Sequence, residues 1–225
     1  MLKGPVIGPL VICGVCYKKN KLNYLNEIGV KDSKKLTSNK RRELSEKIIS
    51  SCYSYKIIII DPKEIDEREK DNITINRLEE IKFAEILNYL KPDIIYLDAA
   101  DVNEERFGNS IKNLLNYQPK EIISKHKADD LYPIVSAASI VAKYKRDSII
   151  DNLKQKYGDF GSGYPSDKKT IDFLREYIKK NKKAPPFARK SWETTKKIFW
   201  RNSSFSKSNA NQYISCNGII QMVGR

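Results

Sequence analysis

The sequence predicts an α/β domain continued by a helical C-terminal part. Short apolar runs alternate with amphipathic stretches up to residue 124, and carboxylates follow two of those runs. Beyond that point the periodicity is helical only.

Residues 9–17 read as a strand and residues 55–60 as a second, whose run Ile57-Ile58-Ile59-Ile60 suits burial on both faces. Between them Thr37 precedes a stretch with Leu44, Ile48 and Ile49 on one side and Lys40, Arg41 and Arg42 on the other. That is the pattern of a helix with a hydroxyl N-cap and a basic face. Residues 75–90 form the next helix, on Leu78, Ile81, Phe83, Ile86, Leu87 and Leu90, with Pro92 as its stop. A strand at 94–97, a helix at 104–115 and a strand at 122–124 make a βαβ unit, so these strands should run parallel, as neighbours or near neighbours. A long helix at 133–156 follows, and its first half is small and apolar (Val135, Ala137, Ala138, Ile140, Val141, Ala142). Residues 158–165 are the clearest loop. Helical segments at 167–180 and 191–199 flank Ala184-Pro185-Pro186. After Trp200 acidic residues vanish, so the expected organisation is one domain over 1–200 and a disordered tail over 201–225.

A chain of 225 residues can bury a full core. Its 42 Lys and Arg against 28 Asp and Glu leave a formal charge of +14, which favours a polyanionic partner such as nucleic acid. The bland alternative is a Lys-rich solvated surface. Four cysteines make no disulfide framework. Cys13 and Cys16 lie three apart in a strand, on opposite faces, and no second pair completes a zinc site. They read as core fillers, and reduced thiols fit a cytoplasmic protein. No signal peptide opens the chain, and the longest apolar run is too short for a membrane span.

Asp98 closes the run Ile94-Ile95-Tyr96-Leu97, and Asp129 follows the strand ending at Ser124. In open α/β sheets, ligands lie outside the carboxyl ends of parallel strands, where both aspartates would stand. Carboxylates there suit a hard divalent ion. The alternative is that Asp98 or Asp101 caps the helix beginning near Asn103. Lys125-His126-Lys127 brings the only histidine between two lysines and reads as a phosphate-facing or solvated basic turn. Gly161-Ser162-Gly163-Tyr164 offers backbone donors and a ring able to stack on a sugar or base, or a tyrosine packed under a loop.

Six segments in order carry a resemblance: Gly4-Pro5-Val6-Ile7-Gly8-Pro9-Leu10, Lys31-Asp32-Ser33-Lys34-Lys35-Leu36, Asp98-Ala99-Ala100-Asp101, Lys125-His126-Lys127-Ala128-Asp129-Asp130, Ser136-Ala137-Ala138-Ser139-Ile140 and Gly161-Ser162-Gly163-Tyr164-Pro165-Ser166-Asp167. The chain resembles the ribonuclease HII family in its archaeal form over roughly residues 3 to 199. The resemblance implies an RNase H-like mixed sheet flanked by helices and a helical C-terminal extension from about residue 167. It implies Mg2+- or Mn2+-dependent cleavage of the RNA strand of RNA–DNA hybrids, and incision at ribonucleotides embedded in duplex DNA. Asp98 and Asp129 match two of the family's four active-site acids, and Tyr164 its junction-stacking tyrosine. Ser33, Lys34 and Lys35 fall in a segment expected near the substrate backbone. A monomer is also implied.

The departure is at the start. Where the family reads Asp-Glu-Ala-Gly-Arg-Gly-Pro, this chain has Met1-Leu2-Lys3-Gly4-Pro5. Lys3 and Gly4 therefore stand in the turn that senses the ribose 2′-hydroxyl, and lysine lacks a guanidinium fork. Both leading acids and the central first strand lack a counterpart, so reduced activity is expected, with unpaired edges on the neighbouring strands. The rival expectation is a non-catalytic hybrid-binding remnant. A second rival is a phosphatase built on Asp98 and Asp101. No clamp-binding peptide is seen in the tail.

Overall fold

The computed structural model of the chain describes residues 4–30 and 36–202. Strand β1 (Leu10–Cys16) is followed by a 3-10 turn (Lys19–Lys21), helix α1 (Leu22–Glu27) and helix α2 (Ser38–Ser51). Thr37 caps α2 as expected, its hydroxyl accepting the Lys40 N–H at 3.3 Å. Strand β2 (Ser54–Ile60) leads through α3 (Pro62–Glu67) to α4 (Ile75–Leu90). Helix α3 is additional to the sequence reading, although its signal is present: Asp61 accepts the Glu64 N–H at 2.8 Å and Pro62 opens the first turn. Then come β3 (Ile94–Asp98), α5 (Glu104–Lys112), β4 (Glu121–Lys125), the single turn α6 (Ala128–Leu131), and α7 (Pro133–Tyr157). Helices α8 (Lys168–Asn181) and α9 (Glu193–Asn202) complete the described chain.

Two elements differ from expectation for identifiable reasons. Helix α5 ends at Lys112, three residues early. The Asn88 side chain draws the following turn away, donating to the Leu114 carbonyl at 3.1 Å and accepting the Asn116 N–H at 2.8 Å. The isoleucine run of β2 is not buried on both faces: Ile58 and Ile60 are buried, but Ile59 is 43% exposed. Helix α2 covers Ile57 on that face through Leu44, Ile48 and Ile49, and Ile59 lies outside that cluster.

β1 and β2 pair antiparallel, with Leu10 opposite Ile60 and Cys16 opposite Ser54. β3 and β4 pair parallel as direct neighbours, with Ile94 opposite Glu121 and Asp98 opposite Lys125. Among the described residues no ladder joins β1 to β3, so the mixed sheet stands as one antiparallel and one parallel ribbon.

Helices clamp the ribbons from both sides. On one face of β1, Gly14 lies so close to Ile86 and Leu90 of α4 that a Cβ there would collide. On the other, Cys13 and Val15 join the cluster of Ala137, Ile140 and Val141 from α7. Helix α4 straddles the ribbons: Leu78 and Ile86 pack with Ile12, Ile58 and Ile60, whereas Leu87 packs with Ile95, Leu97, Phe107 and Ile111. Despite helices on both faces and β2 along one edge, Ile12 alone among the β1 residues is buried.

Cys16, at the end of β1, lies within electrostatic reach of Asp93, just before β3. Leu10, at the opposite end of β1, packs against the core cluster that holds Val6 and Ile7. The C-terminal helices belong to the same core there: Phe160, Leu174, Ile178, Trp192 and Ile198 cluster with Val6, Ile7 and Ile12.

Candidate active site

Asp98 is the last residue of β3, and one of its carboxylate oxygens accepts the Ala128 N–H at 3.0 Å. Since Ala128 immediately precedes Asp129, this bond sets the two acids on adjacent backbone at the carboxyl ends of β3 and β4. Both side chains are partly exposed. Lys127 takes a left-handed conformation (φ 53) to turn the chain into α6, and buried Ser136 of α7 donates its hydroxyl to the Asp129 carbonyl. The Ser136-Ala137-Ala138 segment thus does structural work: a small helix face lets α7 approach β1 and pin the corner that carries Asp129.

Asp101 has a different task. It is 6% exposed and pairs with Arg106, while its Oδ1 accepts the Asn103 N–H at 3.1 Å and its Oδ2 accepts from the Asn76 amide at 3.4 Å. Asn103, not either aspartate, is the N-cap of α5, accepting the Arg106 N–H at 2.8 Å. Asp101 therefore braces the loop after β3, which removes the carboxylate pair needed by a phosphatase reading.

The basic turn is tethered to the segment that opens α5. The His126 N–H donates to Glu104 at 2.6 Å and its ring Nε2 lies 3.1 Å from the Val102 carbonyl. Lys125 also reaches Glu104, at 3.3 Å. The His126 amide, followed by Lys125, holds the Glu104 carboxyl below its ordinary range. The described cysteines are free and only partly buried rather than full core residues, and burial pushes the Cys13 thiol up to about 12 and raises Cys16 and Cys52. Cys216 lies outside the described residues.

Tyr164 sits on a rigid loop. Gly161 and Gly163 both have positive φ (77 and 81), and a Cβ on Gly161 would strike the Asp167 carboxylate. Asp167 accepts the Ser162 N–H at 2.6 Å and caps α8 through the Lys169 N–H at 2.9 Å. Buried Thr170 accepts the Gly163 N–H at 3.0 Å and donates to the Phe160 carbonyl at 2.8 Å. The Gly163 carbonyl in turn accepts from Val6 and Ile7 at 2.8 and 3.1 Å. These bonds dock the Gly4-Pro5-Val6-Ile7-Gly8 segment against the loop and leave the Tyr164 ring partly exposed beneath the Arg146 guanidinium, 5.3 Å away.

Sequence reasoning missed Arg146, Arg189, Glu79 and Asn76. Arg189 is 3% exposed, donates Nε to the Gly8 carbonyl at 3.1 Å, and stacks 4.8 Å above Trp192. Burial, then neighbouring Arg146, lowers its pKa to about 10. Burial raises Glu79 to about 7 against the opposing pull of Arg189. Asn76 and Glu79, one turn apart on α4, thus link the Asp101 loop to the Arg189 corner. Only tertiary packing joins residues this distant in sequence. Lys3, Ser33, Lys34 and Lys35 lie outside the described residues, whereas Gly4 is described and close to Arg189.

Among the described residues no three His, Cys, Asp or Glu side chains gather into a group able to hold an ion. Asp98 with Asp129 nevertheless fits one hard divalent ion whose other ligands are water and substrate phosphate oxygens.

Comparison with known proteins agrees with this geometry. The ribonuclease HII family model matches residues 3–195. Ribonuclease HII of Pyrococcus furiosus is 52% identical over 198 residues, 87% of each chain, and that of Thermococcus kodakarensis 46% identical over 212 residues, 93% of this chain and 91% of that one. Ribonuclease H2 from Pyrococcus horikoshii OT3 superposes with TM-score 0.84 at 48% identity, covering 91% of this chain and 96% of the other. RNase HII in the PCNA:RNase HII complex from Archaeoglobus fulgidus superposes with TM-score 0.79 at 40% identity, over 87% and 91% of the two chains. Bst-RNase HIII, at 16% identity and TM-score 0.74 over 89% of this chain and 67% of that one, shows the fold alone. The family match defines an RNase H endonuclease, a phosphodiester hydrolase of a class that is in general divalent-metal dependent and acts on RNA–DNA hybrids. Within that class the chain belongs to the ribonuclease HII family.

Proposed function

We propose that this chain recognises RNA–DNA hybrids and ribonucleotides embedded in duplex DNA, and that its site hydrolyses the 3′-O–P bond 5′ to the ribonucleotide. The products are 5′-phosphate and 3′-hydroxyl ends. The observation that supports this reading most directly is the Ala128 N–H to Asp98 bond, which holds the two aspartates together at the ends of parallel β3 and β4.

Asp98 and Asp129 would hold Mg2+ or Mn2+. Such an ion, when bound, activates water and stabilises the leaving oxygen. Asp98 keeps its orientation through its bond to the Ala128 amide, so one oxygen is fixed before any ion arrives. Asp129 completes the pair or positions the attacking water. Tyr164, held by the glycine loop, stacks on the ribose at the RNA–DNA junction. Gly4 lines the approach to the 2′-hydroxyl, and Lys3, Ser33, Lys34 and Lys35 are assigned to the substrate backbone.

A second reading, hybrid binding without turnover, is favoured by one observation: the described residues present an acid pair where a two-metal site needs more carboxylates. The experiment is incision of a duplex carrying one ribonucleotide, in Mg2+ and in Mn2+, with Asp98→Asn and Asp129→Asn alongside. Metal-dependent cutting that falls by about 10²-fold or more in either variant supports the catalytic reading. Binding of the duplex with no metal-dependent cutting selects the second. Undiminished cutting in both variants would show that the site lies elsewhere.

A further inference from the structure

Arg189 is buried and Arg146 largely so, and the two cations lie within electrostatic reach of each other. The Arg189 residue is 3% exposed and the Arg146 side chain 12%. Each guanidinium plane is fixed by an aromatic ring, Tyr164 for Arg146 and Trp192 for Arg189. Such pairs repel, and burying them raises the cost, unless an anion or a full set of acceptors compensates.

Among the described residues the acceptors do not suffice. Arg146 Nε and Nη2 are buried with no hydrogen-bond partner among the described residues. Its Nη1 reaches Asp147 at 3.4 Å, but Asp147 is already engaged by Arg41 at 3.1 Å. Arg189 donates Nε to a backbone carbonyl, which carries no formal charge. Arg189 feels Glu79, which is pushed up to about 7 and only partly ionised near neutrality, and Asp66, whose carboxylate already accepts the Lys190 and Ser191 amides. Buried donors without partners are rare in folded proteins, and each calls for a water, an ion or a functional partner.

The position defines the ligand. Arg146 Nη2 lies 3.7 Å from where a Gly163 Cβ would stand, and Arg189 Nη1 lies 3.7 Å from the corresponding point on Gly4. One outer nitrogen therefore borders the backbone just before Tyr164, and the other borders the N-terminal segment docked against that loop, in a chain of formal charge +14. Arginine forks match phosphate oxygens geometrically, and two forks at a shared corner match one phosphodiester.

We infer that Arg146 and Arg189 together seat one backbone phosphate of the substrate strand, next to the nucleotide on which Tyr164 stacks. The inference rests on the proposed function and adds the phosphate contact that sets register at the junction. Positioning of this kind comes from phosphate contacts, whereas the ribose contact supplies selectivity.

The test is a phosphate walk. A fluorescent duplex with one ribonucleotide is prepared as a series, each member carrying a single neutral methylphosphonate within a few positions of the ribonucleotide. Binding to the full 225-residue chain is measured by anisotropy without divalent metal, so that no cutting intervenes. One substituted position should weaken binding by about 10-fold. Arg146→Gln should weaken binding of the all-phosphate duplex by a similar factor and show no further loss at that position. Arg189→Gln should behave alike, and Arg146→Lys, which keeps the charge, should fall between. Losses that add at every position, with all variants folded by circular dichroism, overturn the seat while leaving the proposed function intact. Failure of the unsubstituted duplex to bind at all overturns both.

Discussion

The Glu79 carboxyl faces Arg189, but its burial outweighs that attraction and raises it to about 7. A raised acid contributes stability that is complete below its unfolded value of 4.5 and is lost as pH rises through about 7. The chain should therefore lose about 1–2 kcal/mol from this group between mildly acidic and neutral pH, allowing for partial solvent screening. Glu79→Gln should flatten that stretch of the stability curve and be the more stable form above neutrality. Urea melts of both forms across this range check the sign, and parallel curves would mean that Glu79 stays ionised. None of this was legible in the sequence, because residues 79 and 189 meet only through the packing of α4 against the C-terminal corner. Asp98 is the opposite case. Its place at the end of an apolar run was readable from periodicity, although its hydrogen bond to Ala128 was not.

At the scale of elements, the loop between α7 and α8 concentrates the most constraint. Gly163 combines a φ of 81 with a hypothetical Cβ 3.1 Å from the Ile7 carbonyl. Gly163→Ala should cost about 1–2 kcal/mol from the left-handed backbone alone. It should also loosen Tyr164, so duplex affinity should drop along with the melting temperature; a stability loss with unchanged affinity would detach Tyr164 from recognition. The loop was readable because glycines and proline punctuate it, whereas the Thr170 hydroxyl that organises it was not. Most helices followed from apolar spacing and caps: Thr37, Thr74 and Asp167 each accept the amide that N-cap geometry requires. The early end of α5 was not readable, since Asn88 on another helix causes it.

For the whole molecule, the decisive feature is a sheet in two ribbons held edge to edge by α4 and α7. Half of the β1 amides pair with β2, and the alternate ones face the edge that carries no ladder among the described residues. Hydrogen exchange should separate these sets by about 100-fold or more, since exchange requires only local access for the unpaired set. Equal protection of all β1 amides would show that another segment covers this edge. The charge of +14 makes a second prediction at this scale. If about five phosphates are neutralised, the logarithm of the duplex association constant should fall with the logarithm of salt at a slope near −4.5. A slope near zero would return the lysines to the role of a solvated surface.

The sequence by itself determined the α/β class, the order of strands and helices, the helix caps and the positions of Asp98 and Tyr164. Each of these depends on local periodicity, turn chemistry or an ordered set of short motifs. Tertiary structure alone decided that Asp101 braces a loop, that no ladder joins the two ribbons among the described residues, and that Arg146, Arg189 and Glu79 share one corner. Those outcomes depend on which distant segments exclude water from one another, and no local pattern records that.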